Sequence, residues 1–206
     1  MVASLASSHA EVAGSNPAVL ILFNSNIMEF NFDTIIGIDP GASGGLAVFQ
    51  PGKLTKTVKM PKDVRDLAEF FGYYAENFKP LVFLEKLSVR PDDVKDNPGK
   101  IYRIQQMMAN YEHLKALMET AGLPYVLVHP MSWQTKLNLR GKGESKKARK
   151  TKYKLKAAKE YPECNVTLWN ADALLIMHFG RFVLANEPKW VLANLPGYVK
   201  EAKIFG

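Results

Sequence analysis

TIIGIDPGASGGLAVF, residues 34–49, decides how the rest of the chain is read. Ile35, Ile36 and Ile38 form an apolar β-branched run that ends in one carboxylate, Asp39. Pro40, Gly41, Ser43, Gly44 and Gly45 follow, and then a second apolar run, Leu46 to Phe49. The pattern predicts strand, tight turn, strand, with an acid at the tip of the first strand. Burying an acid among isoleucines is costly unless a cation meets it. A divalent metal with oxygen ligands is one candidate for that cation. An exposed turn aspartate is the plainer alternative.

Composition narrows the classes. A chain of 206 residues suits one domain with a full core. Its apolar share of 47% and charged share of 23% are those of a soluble globular protein. No apolar run approaches the roughly 20 residues of a membrane helix. The single cysteine, Cys164, excludes an internal disulfide framework and a Cys-based zinc cluster, and fits a cytoplasmic location. The net charge of +7 is concentrated: residues 140–159 hold ten Lys or Arg, among them Arg140, Lys142, Lys146, Lys147, Arg149 and Lys150, against one acid, Glu144. Such a block predicts contact with a polyanion, nucleic acid first; a solvated helix face is the alternative.

Residues 1–27 read as an extension foreign to the domain, with no Lys or Arg and one acid, Glu11. Neither a secretory signal nor a transit peptide fits that composition. Gly14-Ser15-Asn16-Pro17 can be encoded by a transfer-RNA T-arm sequence, so Met28 is the expected natural start, the extension being translated upstream sequence or a flexible arm. The domain is expected over 28–185, with a tail from 186 to 206. Leu54 to Met60 alternates as a third, antiparallel strand. Asp63 to Asn77 predicts a helix with an Asp cap. Leu81 to Leu84 predicts a strand buried on both faces, and it ends in Glu85, as the first strand ends in Asp39. A strand, crossover helix and parallel strand bring such ends together, and two carboxylates there repel unless a cation lies between them. After a polar loop over 88–100 come a long helix over 101–121, a buried strand over 125–128 and a short helix from Ser132. A surface helix over 146–161 carries the basic block, and a final strong helix spans 168–184 with Asp172 as its only acid. Asp172 also reads as a plain helix-dipole acid. The order is α/β, with a mixed five-stranded sheet, three antiparallel strands and then two parallel ones, flanked by helices.

Gly37-Ile38-Asp39-Pro40-Gly41, Phe83-Leu84-Glu85-Lys86 and Ala171-Asp172-Ala173-Leu174-Leu175 together resemble the RuvC-type Holliday junction resolvases. The Ser43-Gly44-Gly45 extension, residues 122–130 with Trp133, and residues 174–181 are similar to their bacterial and phage-borne branch. The resemblance spans about residues 34–181. It implies an RNase H-like fold and a two-Mg²⁺ site, with Mn²⁺ as a substitute, held by Asp39, Glu85 and Asp172. It also implies paired nicks leaving 5′-phosphates and 3′-hydroxyls, catalytic help from a basic residue best matched by Lys146, with Lys136 and Lys142 next, and a homodimer acting on branched DNA with an unspecified helicase. The broad apolar set of the 101–121 helix is the expected dimer face, plain core packing being the other reading. The family's usual fourth ligand, Asp or His, falls on Trp169 here; Asn170 is the nearest oxygen donor and is the candidate in its place.

The leading expectation is therefore a Mg²⁺-dependent endonuclease that resolves Holliday junctions or other branched DNA. A catalytically impaired branched-DNA-binding protein of the same fold is the alternative, with Trp169 as its support. An actin-like or sugar-kinase ATPase shares the opening hairpin, but its later phosphate and adenosine loops are missing from this sequence.

Overall fold

The computed structural model describes residues 31–89 and 98–196. The expected extension over 1–27, most of the 88–100 loop and residues 197–206 lie outside the described residues. In chain order the elements are β1 (Thr34–Asp39), β2 (Gly45–Phe49), β3 (Lys56–Lys59), α1 (Val64–Asn77), β4 (Pro80–Glu85), α2 (Pro98–Thr120), β5 (Tyr125–Val128), α3 (Pro130–Lys136), α4 (Lys146–Glu160), α5 (Ala171–Asn186) and α6 (Pro188–Asn194). The strands form one sheet in the order β3-β2-β1-β4-β5. β1 pairs antiparallel with β2, and β2 with β3. β4 lies parallel to both β1 and β5. This mixed five-stranded sheet is the one the sequence predicts, and the RNase H-like resemblance implies the same arrangement.

Strand alternation divides the core in two. Ile36, Ile38, Leu46, Val48, Val82 and Leu84 face α1 and α2, where Leu67, Phe71, Leu114 and Met118 are buried. Ile35, Ala47, Leu81, Phe83, Val126 and Val128 face the opposite layer, where Trp133, Tyr153, Ala157 and the buried residues of α5 lie. A side chain's position in its strand thus fixes which layer it meets. β3 is a four-residue edge strand whose Lys56, Val58 and Lys59 are exposed; a short edge carrying lysines resists pairing with other chains.

Local sequence sets the helix ends. The Asp63 side chain accepts from Arg65 N–H at 2.8 Å at the start of α1, and Ser145 accepts from Ala148 N–H at 3.2 Å at the start of α4. Gly122, at a φ of 67°, turns the chain out of α2. Residues 171–177 of α5 are all buried, so this helix is apolar all round and lies inside the molecule. It can settle on β1 because Gly37 has no side chain: a Cβ there would come within 2.4 Å of Met177 N and 2.5 Å of Ala173 O. Farther along α5, Gly180 meets the Phe83 ring. The helix therefore starts near the Asp39 end of the sheet and runs back antiparallel to β1 and β4.

The expected tail begins later than the sequence suggested. Residues 188–194 form α6; Val191 and Leu195 are buried, and Trp190 meets Phe179 edge to face with centroids 5.5 Å apart. The apolar residues of this short Pro-started segment, Trp190 to Ala193 and Leu195, stand in a run and show no helical stripe. Among the described residues no helix is long and apolar enough to cross a membrane.

Candidate active site

Two strands and one helix deliver the acids. Ile38 of β1 pairs with Leu84 of β4, so the next residue of each strand, Asp39 and Glu85, lie side by side at the C-terminal ends of these two interior strands. Alternation puts them on the same face as Gly37 and Phe83, the face α5 covers. Asp172 stands in the first turn of α5, 6% exposed, over that same end. The turn after β1 is shaped around its acid. Gly41 N–H donates to Asp39 Oδ1 at 3.0 Å. A Cβ on Gly44 would lie 2.3 Å from the Asp39 carbonyl oxygen and 2.9 Å from Oδ2, so only glycine lets the turn close over the carboxylate.

The electrostatics follow from that crowding. Burial, and then the charge of Asp39, push the Glu85 carboxyl up to about 7, against the pull of the Trp133 N–H and of Lys150. Trp133 Nε1 donates to Glu85 Oε1 at 3.0 Å and holds it in place. Burial also raises the Asp172 carboxyl above the usual range; Lys150 opposes the rise and Asp39 adds to it. Lys150 Nζ donates to Asp172 Oδ2 at 2.5 Å. Burial alone would lower the Lys150 ammonium, but Asp172, Asp39 and Glu85 outweigh it and hold it raised. The other oxygen, Asp172 Oδ1, is buried with no hydrogen-bond partner.

Of the residues singled out from the sequence, Asp39, Glu85 and Asp172 meet at one end of the sheet. Lys146, Lys147 and Arg149 are exposed on α4, while Arg140 and Lys142 are exposed in the connection before it. α4 itself packs through Tyr153 and Ala157, which leaves its lysine-rich side to solvent. Lys150, one turn after Lys146, is the basic residue that touches Asp172. The two are four apart on the same helix face, so spacing alone does not choose between them. Trp133 as the anchor of Glu85 had a sequence signal: a buried indole needs a partner for its N–H.

Asn170 does something other than the expected ligation. It is 1% exposed, and its Oδ1 accepts from Thr167 N–H at 2.7 Å and from Thr167 Oγ1 at 3.3 Å. Its Nδ2 donates to Asn165 O at 3.1 Å and to Thr57 Oγ1 at 3.3 Å. The amide is committed to tying the loop before α5 to β3. A committed side chain makes a poor metal ligand, because ligation would break bonds already made in a buried place.

Lys150 rests on Asp172, and among the described residues no three His, Cys, Asp or Glu side chains form a ready-made ligand cluster. The chemistry of the acids nevertheless suits a hard cation. All three are acceptors when ionised, one of them holds a buried oxygen without a donor, and another is pushed up to about 7 by burial and then by the charge of Asp39.

No protein-family model matches the chain, and no curated protein is significantly similar to it. Among the solved structures that resemble it are two of RuvC. One is T. thermophilus RuvC in complex with a Holliday junction substrate, at 19% identity and a TM-score of 0.47, covering 73% of this chain and 94% of that one. The other is a Thermus thermophilus RuvC structure, at 17% identity and a TM-score of 0.43, covering 73% of this chain and 95% of that one.

Proposed function

We propose that this protein is a Mg²⁺-dependent endonuclease that nicks branched DNA, four-way junctions first, with Mn²⁺ able to replace Mg²⁺. One observation carries the reading: Asp39, Glu85 and Asp172, from two strand ends and a helix start, are gathered at one end of the sheet within each other's electrostatic reach, beside a lysine-rich helix. Structural acids are seldom buried against one another without a task.

Asp39, Glu85 and Asp172 would hold the ions. Bound there, divalent cations lower the pKa of an attacking water and offset the charge growing on the leaving oxygen. The chain's own groups do the rest. Trp133 keeps Glu85 aimed, and the Gly41 N–H keeps Asp39 aimed. Lys150 stands at the acids as a mobile cation that can pass from Asp172 to a phosphate oxygen when the ions arrive. Arg140, Lys142, Lys146, Lys147 and Arg149 present exposed charge for the sugar–phosphate backbone, which makes binding steeply salt-dependent and indifferent to sequence. Junction choice then rests on shape. A homodimer fits a two-fold junction; Ile101 and Tyr102, exposed at the start of α2, are the residues we assign to its contact.

The experiment is nicking of a synthetic four-way junction beside a linear duplex, with Mg²⁺, with Mn²⁺ and with chelator. The parent should nick the junction only with metal, and Asp39→Asn should abolish nicking while junction binding persists. An Asp39→Asn variant as fast as the parent overturns the mechanism. The second reading, a branched-DNA-binding protein without cleavage, draws on the committed amide of Asn170, which leaves the three carboxylates without it as a fourth oxygen donor. It expects metal-independent junction binding and no nick in either metal.

A further inference from the structure

Across the face that holds the acids, the strand registers set out one row of residues. Lys59 of β3 pairs with Gly45 of β2, Gly45 pairs with Asp39 of β1, and Glu85 is Asp39's neighbour on β4. All lie on the α5 side of the sheet. Gly45 leaves a gap in this row, and Trp169 fills it. A Cβ on Gly45 would fall 2.8 Å from Trp169 Cζ3 and 2.9 Å from Cε3. Directly opposed antiparallel residues carry their Cβ atoms roughly 5 Å apart. The indole therefore sits one residue from the Asp39 carboxylate, between it and the Lys59 position.

Trp169 is not packed as the protein's other site tryptophan is. Trp133 is fully buried and its N–H is bonded to Glu85. Trp169 is only partly buried, follows an exposed Leu168, meets no other aromatic ring, and has no hydrogen-bond partner for its indole N–H among the described residues. Gly45 gives it a seat and Asn170 pins the loop that carries it. A rigid, partly exposed aromatic ring flanked by acids on one side and an exposed lysine on the other is what a single nucleotide needs. The ring can take a base, the lysine a phosphate, and the acids the neighbouring phosphate.

We propose that Trp169 is a stacking platform for the unpaired base next to the scissile phosphate, with Lys59 holding the phosphate beyond it. The proposal rests on the branched-DNA reading and adds to it the chemistry that is recognised: a nucleotide turned out of its stack at the branch. Every base has a π-face, so the platform selects for an unstacked base rather than for a sequence.

The test uses the full chain in chelator, where no cutting intervenes, and four-way junctions in which one abasic site is walked through the nucleotides at the branch. Parent affinity should fall at one position by roughly 5- to 150-fold, the worth of one base–aromatic stack. Trp169→Leu, which keeps apolar bulk over Gly45, should bind the intact junction more weakly by a similar factor and show no further loss at that position. Trp169→Phe should keep the dependence. Junction binding should also quench the parent's tryptophan fluorescence, and Trp169→Phe should remove most of that quenching. If the parent prefers junction to duplex yet Trp169→Leu shows the same abasic profile, or the quenching survives Trp169→Phe, the platform is overturned while the branched-DNA reading stands. If the parent shows no preference for junction over duplex, the underlying reading fails, and the platform with it.

Discussion

The Lys150 ammonium lies 2.5 Å from Asp172 Oδ2, while the other oxygen of that carboxylate is buried without a donor. Half of the acid is matched to a cation of the chain and half is left for something else. In Lys150→Met, the buried Asp172 loses the one cation that touches it among the described residues. The lysine side chain is 36% exposed, so water offsets part of the loss. The metal-free protein should be less stable by about 1–2 kcal/mol. The same change removes a competitor for the site, so the rise in melting temperature on adding Mg²⁺ should be larger than in the parent. Thermal melts with and without Mg²⁺ decide this; an unchanged Mg²⁺ response would show that Lys150 and the ion do not share Asp172.

Glu85 gives a pH dependence with a definite sign. Its carboxyl is raised by burial, and then by Asp39, from an ordinary 4.5 to about 7. Between those values the folded protein keeps a proton that the unfolded chain has released, so stability falls as pH rises through that window. Glu85→Gln keeps an acceptor for the Trp133 N–H and removes the charge. In chelator the variant should gain on the parent by on the order of 1–3 kcal/mol at pH 7.5 and by little near pH 4.5. Urea denaturation at the two pH values measures it. Mg²⁺ should restore the parent at pH 7.5 and leave the variant nearly unmoved.

Gly37 is the point where sheet and helix are closest. A Cβ there meets Met177 N, Ala173 O and Met177 Cα, all backbone atoms of α5, at 2.4–2.7 Å. Backbone cannot turn aside as a side chain can, so Gly37→Ala must lift α5 off β1. The cost should be at least about 1–3 kcal/mol in urea denaturation. Because Asp172 rides on the lifted helix, the Mg²⁺ shift in melting temperature should shrink as well. A variant that keeps full stability would mean that α5 sits farther from β1 than the structure has it.

These residues also show what sequence can and cannot disclose. The sheet was legible because Ile35, Ile36 and Ile38 and the run from Leu81 to Leu84 are β-branched or apolar stretches cut off by turn residues, and each ends in an acid. Strand pairing then brings those ends together with no further information. Asp172 was legible as the only acid of its helix, although alone it reads equally well as a dipole acid. Lys150 was not legible as the partner of Asp172: ten cations in twenty residues look alike in a string, and only the packing of Tyr153 and Ala157 on the core brings this one to the acid. Asn170 misled because an amide oxygen near a metal site has the right chemistry, while its hydrogen bonds belong to residues 5 and 113 positions away as well as to near neighbours. Pairing over such separations leaves no local trace.

Asn170 therefore supplies a test that separates a pin from a ligand. Its four hydrogen bonds run to Thr167, twice, and to Asn165 and Thr57, from an amide that is itself 1% exposed. In Asn170→Ala the half-buried Thr167 loses its N–H partner while water can reach the exposed Asn165, so the loss should be about 1–2 kcal/mol. A pin predicts that loss of stability with no change in the Mg²⁺ affinity of the protein that remains folded. A ligand predicts the reverse: a small loss of stability and a metal affinity lower by about tenfold or more. Asn170→Asp sharpens the contrast. As a ligand it would tighten binding by adding a charge. As a pin it puts a carboxylate where Nδ2 now donates to Asn165 O, so the loop should loosen with no gain in affinity. Titration calorimetry with Mg²⁺ and Mn²⁺, paired with urea denaturation on the same three proteins, reads both quantities; we expect the stability to move and the metal affinity to stay.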